Sequence, residues 1–319
     1  MKRVLTAVMF LWISLEAPTG DAWAQGTLTK IIVPVAPGGA PDIVARLIAG
    51  PLSARLGHSV IVEDRPGAGE RIGAEIVAHA APDGQTLLLA PPGSLVLAQA
   101  LFSNLRYNPE AFTPVGTLTS SSLVLLVREN VGASTVGQLI LLATQSPRKL
   151  TYASPGIGTP PHLTGEMFRL AAGVEFTHVP YKGLATALAD LLVGRVDFMF
   201  DNLGNSLPNI KAGRVKVLAV AGDRRIPELP DIPALTETYP SVQASSWFGV
   251  VAPPNTPESV RSRLSAALAE IVRSPEVEPR LRAMGLQAVG SSPAEMAEML
   301  NAERARWAAV VKEAHITTE

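Results

Sequence analysis

Pro34-Val35-Ala36-Pro37-Gly38-Gly39-Ala40-Pro41-Asp42 stands between an apolar run, Lys30 to Val33, and an amphipathic stretch from Asp42 to Leu56. The run predicts a buried strand, and the stretch predicts a helix with Asp42 at its N-cap. The same kind of junction recurs as Ser154-Pro155-Gly156-Ile157-Gly158-Thr159-Pro160-Pro161-His162, between Leu150 to Ala153 and a helix expected over His162 to Leu170. Glycine lets a backbone approach a ligand closely, and the N–H groups that open a helix favour an anion. Successive N–H groups in such a turn can also form an anion-binding nest. Each loop alone reads equally well as a tight turn. Two of them opening onto one cleft point to binding.

Around these loops, strand-like and helix-like segments alternate. Val60 to Glu63, the loop Arg65-Pro66-Gly67-Ala68-Gly69, a helix over Ile72 to Ala80 and a strand over Thr86 to Ala90 complete a first series. A second runs through Leu123 to Val127, Thr135 to Gln145, Leu150 to Ala153, His162 to Leu170, Phe176 to Val179, Ala185 to Val193, Asp197 to Phe200 and Val215 to Val220. Asp223 to Tyr239, rich in Pro and charge, reads as a surface loop with a short helix; Phe248 to Ala252 is one more strand. Only helices are expected after it, including Pro257 to Arg273 and Pro293 to Glu313, each with Pro in its first turn. Alternation of this kind implies βαβ units and mostly parallel sheets. The expected fold is α/β, with two lobes and a ligand cleft at the carboxyl ends of their strands. We expect one lobe from 26–125 plus 246–319, the other from 126–245, and a hinge at the crossings near 125 and 246.

Composition removes several function classes. The 319 residues carry 27 Lys and Arg against 28 Asp and Glu, and aromatic residues make up 5%. A chain with net charge −1 and so few aromatics lacks the basic surface and stacking platforms of a nucleic-acid binder. The absence of Cys excludes disulfides, thiolate metal sites and thiol nucleophiles. The chain has no G-x-S-x-G, no P-loop and no H-E-x-x-H, and its five histidines include no pair spaced i, i+4. Gly67, Gly69 and Gly73 approach the dinucleotide fingerprint, but the last gap is one residue too long. No cofactor is expected. An alternative reading is a secreted Ser hydrolase using His162 or His178 as base.

The N-terminus reads as an export signal. Lys2 and Arg3 precede an apolar run from Val4 to Leu15, and Ala22-Trp23-Ala24 fits a small-x-small cleavage site. The run is shorter than the roughly 20 residues that a membrane span needs. Cleavage after Ala24 removes Lys2, Arg3, Glu16 and Asp21, two charges of each sign, and leaves the net charge at −1. The expected location is the periplasm.

The strings PVAPGGAPDIVARL, RPGAG, APDGQTLLLA, YASPGIGTPPHLTGE, HVPYKG and SSWFGVVAP resemble, in order and spacing, the substrate-binding proteins of tripartite tricarboxylate transporters, the Bug family. The resemblance runs from Lys30 to the C-terminal helices. It implies a periplasmic, non-enzymatic solute receptor that closes on a small organic carboxylate. It also implies two glycine loops that hold one carboxylate through backbone N–H groups and bridging waters. By position that nominates Gly38, Gly39, Ala40 and Asp42 in one lobe and Ser154, Gly156, Gly158 and Thr159 in the other. The expected partner is a membrane carrier of the tripartite type or a membrane sensor, with the receptor itself monomeric. Where the family often has an aromatic, a Gly-Thr pair and an Asn, this chain has Val35, Ala40-Pro41 and Ile157. These replacements favour a less polar ligand, an aromatic or aliphatic mono- or dicarboxylate.

Asp201 follows the strand Asp197 to Phe200 and so stands at a strand's carboxyl end, where a cleft contact competes with capping the next helix. Lys182, beside a glycine turn, reads as solvated. If the export reading holds, the intact mass of periplasmic protein corresponds to a chain starting at Gln25; membrane-bound protein that keeps Met1 contradicts it.

Overall fold

A computed structural model describes residues 28–146 and 148–317, so the leader expected over 1–24 lies outside the described residues. The first half is β1 (Leu28–Val33), α1 (Ala40–Leu56), β2 (Ser59–Asp64), α2 (Arg71–Ala78) and β3 (Thr86–Ala90), then a π-helical turn, Gly93–Leu97, and α3 (Ala98–Leu101). Next come β4 (Thr113–Arg128), α4 (Val136–Gln145), β5 (Thr151–Ser154), α5 (Pro160–Ala172), β6 (Thr177–Pro180), α6 (Leu184–Leu192), β7 (Phe198–Asn202), α7 (Leu203–Lys211) and β8 (Val215–Val220). After a short 3-10 turn, Leu235–Glu237, the chain ends with β9 (Ser245–Ala252), α8 (Glu258–Val272), α9 (Glu278–Ala283), β10 (Gln287–Ala288) and α10 (Pro293–Glu313).

The strand order is β2-β1-β3-β9-β4-β7-β5-β6, with β8 and β10 also paired to β4. The parallel part lies on either side of the middle: β1 joins β2 and β3, and β5 joins β6 and β7. β9 and β4 add antiparallel ladders, so the α/β two-lobe fold stands with mixed rather than mostly parallel sheets.

β4 belongs to both lobes. Its residues Thr113 to Ser122 pair with β9, and Leu123 to Val127 pair with β7. Only Leu123 to Val127 is a continuous apolar run; the first half carries Pro114, Gly116 and Ser120-Ser121-Ser122 and looks like a polar loop by composition. Pairing to β9 and to β10 overrides that local signal, because strand preference depends chiefly on neighbours. The same pairing creates β10, a strand where only helices were expected.

Helices cover both faces of the first sheet. Ile31, Val33, Leu87 and Leu89 face Val44, Ile48 and Leu52 of α1 and Leu264, Leu268 and Ile271 of α8. The alternate residues Ile32 and Leu88 join the larger cluster that contains Trp247, Leu300 and Trp307. The α10 helix starts with a reciprocal capping box between Ser292 and Glu295. It is fastened to β9 where the Trp247 indole N–H donates to Glu303 Oε2 at 2.9 Å inside the core. Glu303→Leu leaves that indole N–H unpaired, and we expect a loss of about 1–3 kcal/mol in urea unfolding. Glu303→Gln retains an acceptor and should lose less. Equal losses in the two variants would show that the hydrogen bond is not what fastens the helix.

Candidate functional site

The two glycine loops follow β1 and β5, the middle strands of the parallel triplets, and they share one conformation. Gly38 and Gly158 have φ of 83° and 77°, in the left-handed region that glycine tolerates. Gly39 and Thr159 are extended N-caps, with φ and ψ of −69° and 157° and of −76° and 154°. The Gly39 amide donates to Ala36 O at 3.2 Å, and the Thr159 amide to Gly156 O at 3.4 Å.

The decisive bonds reach back from the helices. The Gly38 amide donates to Asp42 Oδ2 at 2.8 Å, and the Gly158 amide to His162 Nδ1 at 3.0 Å. Asp42 is therefore in the first turn of α1 and not at its N-cap, as the sequence suggested. The helix starts at Ala40, two residues earlier than expected, with Pro41 in its first turn, and the Asp42 carboxylate folds back on the loop. Asp42 is also held by Arg46, whose guanidinium lies 2.6 Å from Oδ1 and 2.7 Å from Asp64 Oδ2. Burial and the neighbouring Asp42 raise the Asp64 carboxyl above its ordinary range. Gly156 donates to Ser154 Oγ at 3.2 Å, so the amides of Gly156, Gly158 and Thr159 all serve their own loop. Pro160 and Pro161 open α5 without N–H groups. In α1 the first amide, that of Ala40, has no intrahelical acceptor.

Ser154 Oγ lies 2.7 Å from His178 Nε2, the pairing a Ser nucleophile would need. The hydroxyl is fully buried, however, and also faces Gly156 O at 3.1 Å. His178 stacks on His162 and Tyr152, with ring centroids 4.0 and 4.7 Å away. Burial lowers both histidines to about 4, below the useful range of a general base near neutrality. The pair props the loop from behind.

A cavity of about 350 Å³ opens between the lobes. The first lobe contributes Gly69, Glu70, Pro91 to Gly93, Leu97, Leu101 and Phe102; the second contributes Ile157 to Pro161, Leu184, Asp201 and Asn202. Asn202 and Ser246 also line a recess of about 50 Å³ with Ala40, Ser121, Asn205 and Trp247. Ser121 Oγ and Asn202 Oδ1 are buried there without a hydrogen-bond partner. Such atoms are costly unless something completes them. The lobes touch where Gly158 meets the Leu101 side chain, and again where Gly204 of α7 packs on the Met284–Gly285 backbone.

Of the residues singled out by sequence, Gly158, Thr159 and Asp201 line the cavity and Ala40 lines the recess. Gly38, Gly39, Asp42, Ser154 and Gly156 line neither and shape the loops from behind. Asp201 stands in the cavity wall with its carboxylate turned inward. It accepts from the Asn202 amide at 2.7 Å, from Asn205 Nδ2 at 3.3 Å and from the Ser206 hydroxyl. Burial pushes its pKa up to about 6. Lys182 is exposed and outside the cavity lining. Sequence reasoning missed Glu70, Phe102, Ser121, Asn202 and Ser246. The strand-end rule applied to β2 points to the Gly69–Glu70 loop, and the serine triplet interrupting an apolar strand was a signal for Ser121. Among the described residues no group of three His, Asp or Glu could hold a metal ion, and no helix is long and apolar enough to cross a membrane.

Residues 44–316 match the tripartite tricarboxylate transporter family receptor model. The chain belongs to that family. It is 36% identical to R. palustris Rpa4515, solved with adipate, over 92% of this chain and 99% of that one, with a TM-score of 0.79. It is 34% identical to MatC (Rpa3494) from Rhodopseudomonas palustris with bound malate, over 89% and 99% of the two chains, with a TM-score of 0.75. The periplasmic binding protein BugD is 33% identical over 91% and 98%, also with a TM-score of 0.75.

His162 must stay neutral to accept the Gly158 amide. An unfolded imidazole near 6.5 takes up a proton that the buried ring refuses until about 4. This stabilisation is complete above pH 6.5 and is lost as pH falls towards 4. His162→Asn keeps a side-chain acceptor that cannot titrate, so its stability loss between pH 7 and 4.5 should be smaller than that of the parent by about 2 kcal/mol. Urea unfolding at the two pH values measures this; an unchanged loss in the variant contradicts the neutral-acceptor role.

Proposed function

We propose that this protein is an exported, periplasmic receptor that binds a small organic carboxylate without catalysis and delivers it to a tripartite membrane carrier. The observation that carries the reading is the recess between the lobes, where buried Ser121 and Asn202 oxygens lack partners beside the first amide of α1. The carboxylate group of the ligand sits against Ala40, Ser121, Asn202 and Ser246, directly and through bridging waters. The Asn202 amide presents its NH2 to the anion when turned by half a rotation. The ligand's body lies along Leu97, Leu101, Phe102, Ile157 and Leu184, an apolar wall suited to an aliphatic or aromatic chain. The adipate and malate found on two relatives support this ligand class.

This assignment redistributes the site between the loops. Gly158 and Thr159 contribute surface, and Asp201 holds the junction at which Asn202 ends β7 and caps α7. Gly38, Gly39, Asp42, Ser154 and Gly156 hold the loops in shape. Lobe one comprises residues 26–125 and 246–319, lobe two 126–245, and closure bends the chain near 125 and 246. The switch of β4 from β9 to β7 after Ser122, and the start of β9 at Ser245, support those crossings.

Closure requires that Gly204 reach the Met284–Gly285 backbone. A Cβ on Gly204 would lie 2.2 Å from the Met284 carbonyl oxygen, with no flexible side chain to yield. Gly204→Ala should therefore hold the lobes apart and weaken adipate binding at least about tenfold, or about 1.4 kcal/mol. Calorimetry gives the affinity, and small-angle scattering should show the parent contracting on adipate while the variant does not. Contraction and affinity equal to the parent's would contradict closure across this contact. Absence of saturable binding to any carboxylate in a thermal-shift screen would contradict the receptor reading itself.

A further inference from the structure

Of the two carboxyls that line the cavity, Glu70 and Asp201, Glu70 is the one with an oxygen that neither a loop nor a helix start uses. It comes from the turn between β2 and α2, and it holds a backbone φ of 73°, in the left-handed region where glycine is relaxed and a side chain is strained. Its carboxyl rests on Gly93, where any Cβ would collide with Oε2. The Ser94 amide donates to that same Oε2 at 3.0 Å, which leaves Oε1 without a hydrogen bond from any described residue. Leu97, Leu101 and Phe102 share its wall.

No Lys or Arg lines the cavity. The Arg71 guanidinium stacks 3.7 Å over Phe102, and its Nε donates to Ala68 O at 2.6 Å. Glu75 faces Arg106 at 3.9 Å, and the Tyr107 hydroxyl donates to Ser94 O at 2.7 Å. The Asp201 carboxylate is spent on its own helix. Without a cation beside it, a desolvated carboxyl keeps its proton. Burial pushes Glu70 up to about 8, so it is an acid, and a hydrogen-bond donor, at neutral pH.

We propose that Glu70 reads the far end of the ligand, donating its carboxyl O–H to an acceptor oxygen there, so that the cleft selects carboxylates bearing a second carbonyl or carboxylate group. This rests on the receptor reading above and adds the chemistry of the second subsite. A strained, cavity-facing acid held in place by Ser94 is what such a subsite requires.

Two measurements test it. Carbon-13 NMR of glutamate-labelled protein, without ligand, should show one carboxyl titrating near pH 8 that is missing in Glu70→Gln. Calorimetry should then compare adipate with hexanoate, which lacks the second carboxylate. At pH 6.5 the parent and Glu70→Gln, which keeps a neutral N–H donor, should prefer adipate by at least about tenfold. Glu70→Gly, which relaxes the backbone and removes the donor, should lose that preference. At pH 9.5 the parent's preference should shrink and that of Glu70→Gln should not. A Glu70 carboxyl titrating at the ordinary 4.5, or an undiminished preference in Glu70→Gly, overturns the proposal. So does tighter binding of 6-aminohexanoate than of adipate, which would mark Glu70 as an anion for an ammonium group. If neither probe binds, the comparison uses a dicarboxylate from the thermal-shift screen and its monocarboxylate analogue; binding of no carboxylate at all while Glu70 still titrates near 8 overturns the receptor reading, and the proposal with it.

Discussion

One strand ties the lobes together. β4 contributes 16 residues, pairing with β9 through its first part and with β7 and β8 through its second. Neither sheet is complete without it, so the lobes share a seam. Along the seam the side chains change from Val115 and Leu118, packed under the first lobe, to Val124 and Leu126, packed under the second. Between them lies Ser120-Ser121-Ser122, polar where the strand leaves one core and enters the other. A seam of this kind explains why unpartnered polar atoms accumulate at Ser121 and Asn202, which are close to the β4–β7 crossing. The recess is a consequence of how the lobes are joined, and the larger apolar cavity extends from it.

The two glycine loops solve one backbone problem with different side chains. Each needs a left-handed glycine and a bond from that glycine's amide to the helix residue four places on. In the first lobe the acceptor is an anionic carboxylate anchored by Arg46; in the second it is a neutral imidazole stacked on His178 and Tyr152. An acceptor of either kind consumes the amide. What differs is the next donor: Ala40 has an N–H to offer, and Pro160 and Pro161 have none. The anion-binding capacity of a helix N-terminus is therefore fuller on one side of the cleft than on the other, where the first two N–H groups are missing.

Much of this architecture is legible in the residues. Short apolar runs such as Ile31 to Val33 and Leu87 to Ala90 mark strands, because alternate side chains face helices on both sides. The glycine loops read as loops before helices, and the apolar run Thr86 to Ala90 coincides with β3 end to end. The first half of β4 was not visible, since its Thr, Ser, Gly and Pro become strand only through partners distant in sequence. The site was half legible for the same reason. Local composition shows that Gly38 and Gly158 make special turns, but not that Asp42 and His162 fill them. Nor does it show that Glu70, separated from Ser94 by a helix and a strand, turns its carboxyl onto Gly93.

In the proposed receptor the shaped loops frame the cleft while the seam binds the anion. A high-resolution crystal structure of the complex with adipate tests it most directly. We expect one carboxylate against Ser121, Asn202, Ser246 and the Ala40 amide, with the Gly38 and Gly158 amides still bonded to Asp42 and His162. A carboxylate bonded to the Gly38 or Gly158 amide, with Asp42 or His162 displaced, would contradict it.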